Sequence, residues 1–183
     1  MDATCNGEIE LIYRAWKSMI VRCYSESYQK KEPTYKGCEV CEEWLLFSNF
    51  YEWANKNGFR ESYHLDKDII SKGNKIYSPL TCCFVPIEIN SLFTKNNSKR
   101  GDVPIGVRKR GKRYTAYCSF GILRKDAKRK VIGTFDTPEQ AFTAYKQAKE
   151  IYIKEVAQKY YDEGKIIKRV YDALLNYKID IND

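Results

Sequence analysis

The tetrapeptide Thr137-Pro138-Glu139-Gln140 constrains the fold of this chain more than any other feature. A threonine side chain caps the first free amides of a helix, proline suits the first helical position, and glutamine at the third position completes a capping box. A helix therefore starts here. Ala141, Phe142, Tyr145, Ala148, Lys149 and Tyr152 follow on one broad face, and the pattern runs to about Tyr161, where Gly164 stops it. Upstream the period changes to two. Val103 to Arg110 and Lys112 to Phe120 read as strands around Gly111, Arg124 to Arg129 as a basic turn, and Lys130 to Phe135 as a third strand. Three antiparallel strands packed on one long helix make a small α+β unit.

The second strand shows how that unit must face. Tyr114, Ala116, Cys118 and Phe120 alternate with Arg113, Thr115, Tyr117 and Ser119. The first set is apolar and packs on the helix. The second set is then exposed, beside Arg108 and Arg110 from the first strand and Arg129 from the third. The result is a flat, basic, polar face.

Charge points to the same segment. From Lys99 to Lys130 there are twelve basic residues, opposed only by Asp102 and Asp126, whereas the whole chain carries +8. The remainder is slightly acidic. Basic charge confined to one third of a chain is the footprint expected for a polyanion partner; an ordinary solvated basic surface is the alternative.

Before residue 94 the pattern differs. Asn6 can cap a helix with Glu8 in its first turn, and Ile9, Ile12, Trp16, Met19, Ile20 and Cys23 recur at helical spacing, predicting a helix over about 7–24. The stretch SESYQKKEPTYKG reads as loop. Glu42 to Asn55 reads as helix, ended by Asn57-Gly58; Tyr63 to Ile70 as extended; Lys72 to Lys75 as a turn before a strand-like Ile76-Tyr77; Pro86 to Phe93 as a short helix. The polar stretch Thr94 to Asp102 is the best linker candidate. The expected layout is residues 1–94 as one module, 95–102 as linker, 103–163 as a second module, and 164–183 as a last helix with Ile166, Val170 and Leu174 in one stripe.

Gly106-Val107-Arg108-Lys109-Arg110, Tyr114-Thr115-Ala116, Ile132 to Ala141 (IGTFDTPEQA) and Ala144-Tyr145 resemble, in order and spacing, the APETALA-two/ethylene-response-factor DNA-binding domain. That resemblance covers about 60 residues. It implies a sheet lying in the DNA major groove with the helix behind it, Arg108 and Arg110 as base or phosphate contacts, and Arg113, Thr115, Tyr117, Ser119 and Arg129 beside them. The family usually has Arg where this chain has Ile105 and Ser119, and Trp where it has Val131, so its site preference does not transfer.

The earlier half carries a second resemblance. Trp16-x2-Met19-x2-Arg22-Cys23-Tyr24, Val40-Cys41-x2-Trp44, Phe47-x2-Phe50, Leu65-Asp66-Lys67-Asp68 and Tyr77-Ser78-Pro79-x-Thr81-Cys82 look like the HNH endonucleases of phages and mobile elements. The ββα-metal fold of that family needs a divalent-metal ligand, a general base and a helix-borne Asn or His. Asp66 stands at the ligand position and Asn90 is the helix candidate, so these two are the expected metal ligands, for Mg²⁺ or another divalent cation. Lys67 stands where the base belongs, and a protonated Lys is a poor base. His64, two residues before Asp66, is a substitute base or a strand histidine with no role. The module therefore reads as HNH-like with a degenerate site.

Seven cysteines are present. Cys38-x2-Cys41 with Cys82-Cys83 invites a zinc reading, but adjacent cysteines serve one tetrahedral ion poorly, and buried reduced thiols are preferred. No apolar run of membrane-spanning length exists, and the polar start MDATCNGEIE is unlike a secretory signal, so a cytoplasmic location and no membrane partner are expected. The resemblances imply a phage or mobile-element protein that binds double-stranded DNA: a homing-endonuclease-like protein that cuts if its site is active, a non-catalytic DNA-binding regulator, or an inhibitor of a host nucleoprotein defence complex. Oligomeric state is not legible.

Overall fold

The computed structural model describes residues 3–93, 102–121 and 128–181. The chain forms two compact units of mixed α+β structure. One is Met1–Ile87 with Gly164–Ala173, the other Glu88–Glu163 with Leu174–Asp183. The proposed linker at 94–102 lies almost wholly outside the described residues, as do residues 124–127 of the basic turn expected over 124–129; Lys128 and Arg129 instead begin the third strand.

The first unit opens with α1, Ala3–Tyr24. Ile12, Met19 and Cys23 are buried as their spacing requires, while Ile9 stays 39% exposed. Residues 25–37 depart from the expected loop. They form α2, Glu26–Lys31, and a 3-10 turn, Pro33–Tyr35. Ser25 caps α2 by accepting from the Tyr28 amide, with Glu26 in the first turn and Lys30 and Lys31 in the last, both favourable to the helix dipole. α2 buries no residue, so it left no apolar period to read.

The helix expected over Glu42–Asn55 is broken. A 3-10 turn, Glu42–Leu45, is followed by an extended Leu46 (φ −92°, ψ 122°) and then α3, Phe47–Lys56. On one continuous helix, Trp44 and Phe50 would point about 120° apart. The break lets both bury, with ring centroids 5.0 Å apart and edge-on. Asn57 and Gly58 end α3 as predicted, with Gly58 at φ 80°.

Two small sheets complete this unit. β1 (Glu39–Val40) pairs in parallel with β3 (Ile76–Tyr77), and β2 (Tyr63–Asp66) pairs antiparallel with β4 (Cys83–Pro86). The runs on either side of the turn at Gly73 thus belong to different sheets. Trp44, Phe50, Leu65, Tyr77, Cys82 and Phe84 share one core with α1. The returning segment Gly164–Ala173 docks here through polar contacts: Arg60 donates to the Gly164 carbonyl, Tyr63 Oη to that of Lys165, and Arg169 to those of Pro79 and Leu80. The short helix α4, Ile87–Ser91, spans the division between units.

The second unit is built on β5 (Val107–Arg110), β6 (Arg113–Phe120) and β7 (Lys128–Phe135), antiparallel in the order β5-β6-β7. Behind the sheet lies α5, Pro138–Asp162, capped by Thr137, whose hydroxyl accepts from the Gln140 amide at 3.2 Å. Val107, Ala116, Cys118, Phe142, Tyr145 and Ile153 are buried in this unit. Gly106 adopts φ 79°, and a Cβ there would lie 2.2 Å from the Tyr145 ring, so only glycine allows the helix its close approach. The chain end is tied to α5 by Glu150, which accepts from the Ile179 amide and pairs with Lys178. The last helix, α6 (Lys168–Leu175), is shorter than the 164–183 expected and also crosses the division between units; Val170 and Leu174 on it, and Ile166 before it, are buried.

Candidate nucleic-acid interface

Register decides which side chains share the face of the three-stranded sheet turned away from α5. Arg108 pairs with Thr115 and Thr115 with Thr134; Arg110 pairs with Arg113. Past Ala116 the register shifts: Ala116 faces Gly133, but Tyr117 faces Val131, so β7 carries one extra residue, Ile132. From Thr134, simple alternation would turn Ile132, Lys130 and Lys128 to the outer face. The bulge turns Val131 and Arg129 there instead, opposite Tyr117 and Ser119. The basic face expected from the sequence is thereby assembled, with Arg129 in it.

Tyr117 organises the centre of that face. The Arg108 guanidinium lies over its ring, 5.6 Å from the centroid, and Arg110 Nε donates to its hydroxyl at 3.0 Å. One aromatic side chain thus orients two arginines. A guanidinium held in plane keeps its paired N–H groups aimed outward, as bidentate recognition of a base edge or a phosphate requires. Ser119 and Arg129 are exposed across from one another.

Two residues of the expected contact set behave differently. Thr115 is not exposed: it is 4% accessible, because Arg108 and Thr134 flank it across the strands and its hydroxyl lies 3.2 Å from that of Thr134. It stiffens the sheet beneath the arginines. Arg113 is exposed but engaged within the chain, donating to the Asp136 carboxylate and the Thr134 carbonyl, both at 3.1 Å. It pins β6 to the end of β7. Val131, at 61% exposure, is the outer-face residue that alternation did not identify. Its outward turn depends on the bulge, and no residue of Val131-Ile132-Gly133 announces a bulge beyond the glycine itself.

The expected catalytic residues of the first unit lie around the end of β2. Asp66 Oδ1 accepts from the Asp68 amide at 2.8 Å and from the Ile69 amide at 2.7 Å, closing the turn that ends the strand. This is why the extended run stops at Asp66 and not at Ile70. Burial pushes the Asp66 carboxyl above its ordinary value, and these two amides oppose that rise. Lys67 is 7% accessible, and its ammonium donates to both Asp68 oxygens at 2.9 Å and to the Asn74 carbonyl at 2.6 Å. That is the geometry of a structural ion pair, in which Lys67 has only protons to give. His64 is exposed on the same face of β2 as Asp66 and pairs across the sheet with Val85. Asn90 is half-buried on α4, past the division between units, so it is described with the second unit and Asp66 with the first.

Cys23, Cys38, Cys82 and Cys83 are buried free thiols, and Cys41 is half-buried. Burial pushes Cys23 and Cys82 up to about 12, so both are neutral core groups at physiological pH. Among the described residues, no group of three or more His, Cys, Asp or Glu is placed to hold a metal ion, and no helix is long and apolar enough to cross a membrane. Comparison with protein-family models, with curated proteins and with solved structures finds no match to this chain.

Proposed function

We propose that this chain is a sequence-reading, double-stranded DNA-binding protein whose contact surface is the outer face of β5-β6-β7. The observation that carries this reading is the pair Arg108 and Arg110, held by Tyr117 on a flat face that also bears Arg129. Three strands about 4.8 Å apart span roughly 10 Å, which fits a major groove about 12 Å wide. Arg108 and Arg110 are two residues apart, so their side chains leave the strand about 7 Å from one another. That is about two base-pair rises. Arginine is the commonest reader of guanine in this groove. The resemblance to the plant DNA-binding domain supports the same placement of sheet and helix.

For the first unit, the favoured reading is a scaffold built on the antiparallel pair β2 and β4, in which Asp66 and Lys67 serve the fold. It favours a DNA-binding regulator over an HNH-type nuclease acting with Mg²⁺ or a similar ion. Inhibition of a host nucleoprotein complex through the same basic face is a further use that this reading accommodates.

Fluorescence anisotropy with a labelled duplex tests the reading. With ~4–6 phosphates neutralised, log K falls with log salt at a slope of about −4 to −5. A flat salt response, or no binding to duplex at low salt, overturns it.

A further inference from the structure

The outer face of the sheet is basic, yet its edge strand β7 turns an apolar side chain onto it. Val131 is 61% exposed, directly across from Tyr117 and two residues from Arg129 on the same strand. It faces outward only because β7 accommodates Ile132 as an extra residue between Val131 and Gly133. A single exposed valine is ordinary on a protein surface. A bulge that turns one onto an arginine-bearing face is a specific arrangement, since bulges re-aim side chains beside functional sites.

The charge around Val131 names the partner. Arg108 and Arg110 lie on the far side of Tyr117, and Arg129 lies along β7. A surface with cations beside an exposed apolar side chain complements a polyanion that presents a methyl group amid its polar edges. In the major groove of DNA that group is the C5-methyl of thymine, and 5-methylcytosine carries the same group in the same place.

Resting on the DNA-binding reading above, we propose that Val131 is the contact for a pyrimidine C5-methyl group, on a base step next to the guanine read by the Tyr117-held arginines. The preferred site then contains a guanine with a methylated pyrimidine beside it. Tyr117 links the two readings, since its ring supports Arg108 on one side and neighbours Val131 across the strand pair. A polar residue at Val131 leaves the phosphate contacts in place and removes only this discrimination.

The test uses the full chain. Its preferred duplex is selected from a randomised pool, and each thymine in the winning site is then replaced by deoxyuridine, which deletes the methyl group alone. At one position adjacent to a required guanine, affinity falls about 3- to 5-fold, the worth of one buried methyl. At that position 5-methylcytosine, paired with guanine, binds better than cytosine by a similar factor. Val131→Ala and Val131→Ser bind thymine and deoxyuridine sites equally, yet keep the wild-type salt slope and guanine requirement. Val131→Ile keeps the discrimination. Tight, salt-dependent binding that is indifferent to deoxyuridine at every position overturns the proposal and leaves the DNA-binding reading intact. Discrimination that persists in Val131→Ala also overturns it. Absence of duplex binding removes the DNA-binding reading, and the proposal with it.

Discussion

Tyr117 does two separable things: its ring lies under Arg108, and its hydroxyl accepts from Arg110. Tyr117→Phe keeps the first and deletes the second. A hydrogen bond to a charged group is worth roughly 1.5–3 kcal/mol when desolvated, and an exposed one about half of that. The expected result is a loss of about 1 kcal/mol in affinity for the preferred duplex, with relaxed choice at one base position and an unchanged salt slope. Arg110→Ala loses choice at that same position and is not worsened by adding Tyr117→Phe. Anisotropy on single-position site variants reads this directly, and a Tyr117→Phe protein with intact base preference sinks the assignment. Lys67 makes the contrasting case, because its partners are structural. Lys67→Met deletes three donor contacts at a nearly buried position, but Asp68 is half-exposed and regains water. Urea unfolding is expected to show a loss of roughly 1–3 kcal/mol, with duplex affinity unchanged. The sequence made Lys67 legible as a poor base, but not as a buried ion pair, because the carbonyl of Asn74 that completes its shell belongs to a turn seven residues away.

At the scale of elements, α5 and the start of β5 are locked by a contact of glycine with aromatic ring. Gly106→Ala meets both a positive φ, costing about 1–2 kcal/mol, and the Tyr145 ring, where overpacking costs about 1–3 kcal/mol. A loss of roughly 2–4 kcal/mol in urea unfolding is expected, and a change under 1 kcal/mol contradicts the packing described. α5 also holds a half-buried cation: desolvation lowers the Lys149 pKa below its ordinary 10.5, although the Cys118 thiol opposes the shift and the ammonium lies 5.7 Å from the Tyr152 ring centroid. With the folded value below the unfolded one, the unfolded state binds the proton more tightly. Stability therefore rises with pH through the window that ends near the unfolded value. Lys149→Met is expected to stabilise the chain near neutral pH, with the gain shrinking as pH approaches 10.5 in a series of thermal melts; a constant difference across pH 7–10 refutes this. The elements differ in how far sequence disclosed them. The capped start of α5 and the alternation of β6 were legible because local chemistry determines both. The bulge in β7, the break at Leu46 and the helix α2 were not. The first two answer to partners across the fold, Tyr117 and the Trp44–Phe50 packing, and the third buries nothing.

At the scale of the whole molecule, one fold question bears on activity: whether the first unit carries a metal-dependent nuclease in addition to the DNA binding proposed for the second. The ββα-metal chemistry requires a carboxylate with oxygen free for a cation and a nearby group able to take a proton from water. Asp66 uses Oδ1 to hold two backbone amides, and its neighbour Lys67 presents an ammonium fixed by Asp68 and Asn74. A positive charge beside the ligand opposes a divalent ion. Removing the Asp66 carboxylate leaves the Asp68 and Ile69 amides without their acceptor, so Asp66→Ala is expected to cost roughly 1–3 kcal/mol of stability and to leave duplex affinity unchanged. Supercoiled plasmid incubated with Mg²⁺ or Mn²⁺ is expected to remain uncut, both with the wild-type chain and with Asp66→Ala. The discriminating result is nicking by the wild-type chain that disappears in an Asp66→Ala protein still folded and still bound to duplex, since a turn-capping carboxylate cannot produce it. If His64→Ala abolishes that nicking as well, the exposed histidine beside Asp66 is the base. If Lys67→Met abolishes it and His64→Ala does not, the buried lysine loses its proton in the working enzyme. Uncut plasmid together with tight, salt-dependent duplex binding leaves the DNA-reading sheet as the working part of the chain and the first unit as its scaffold.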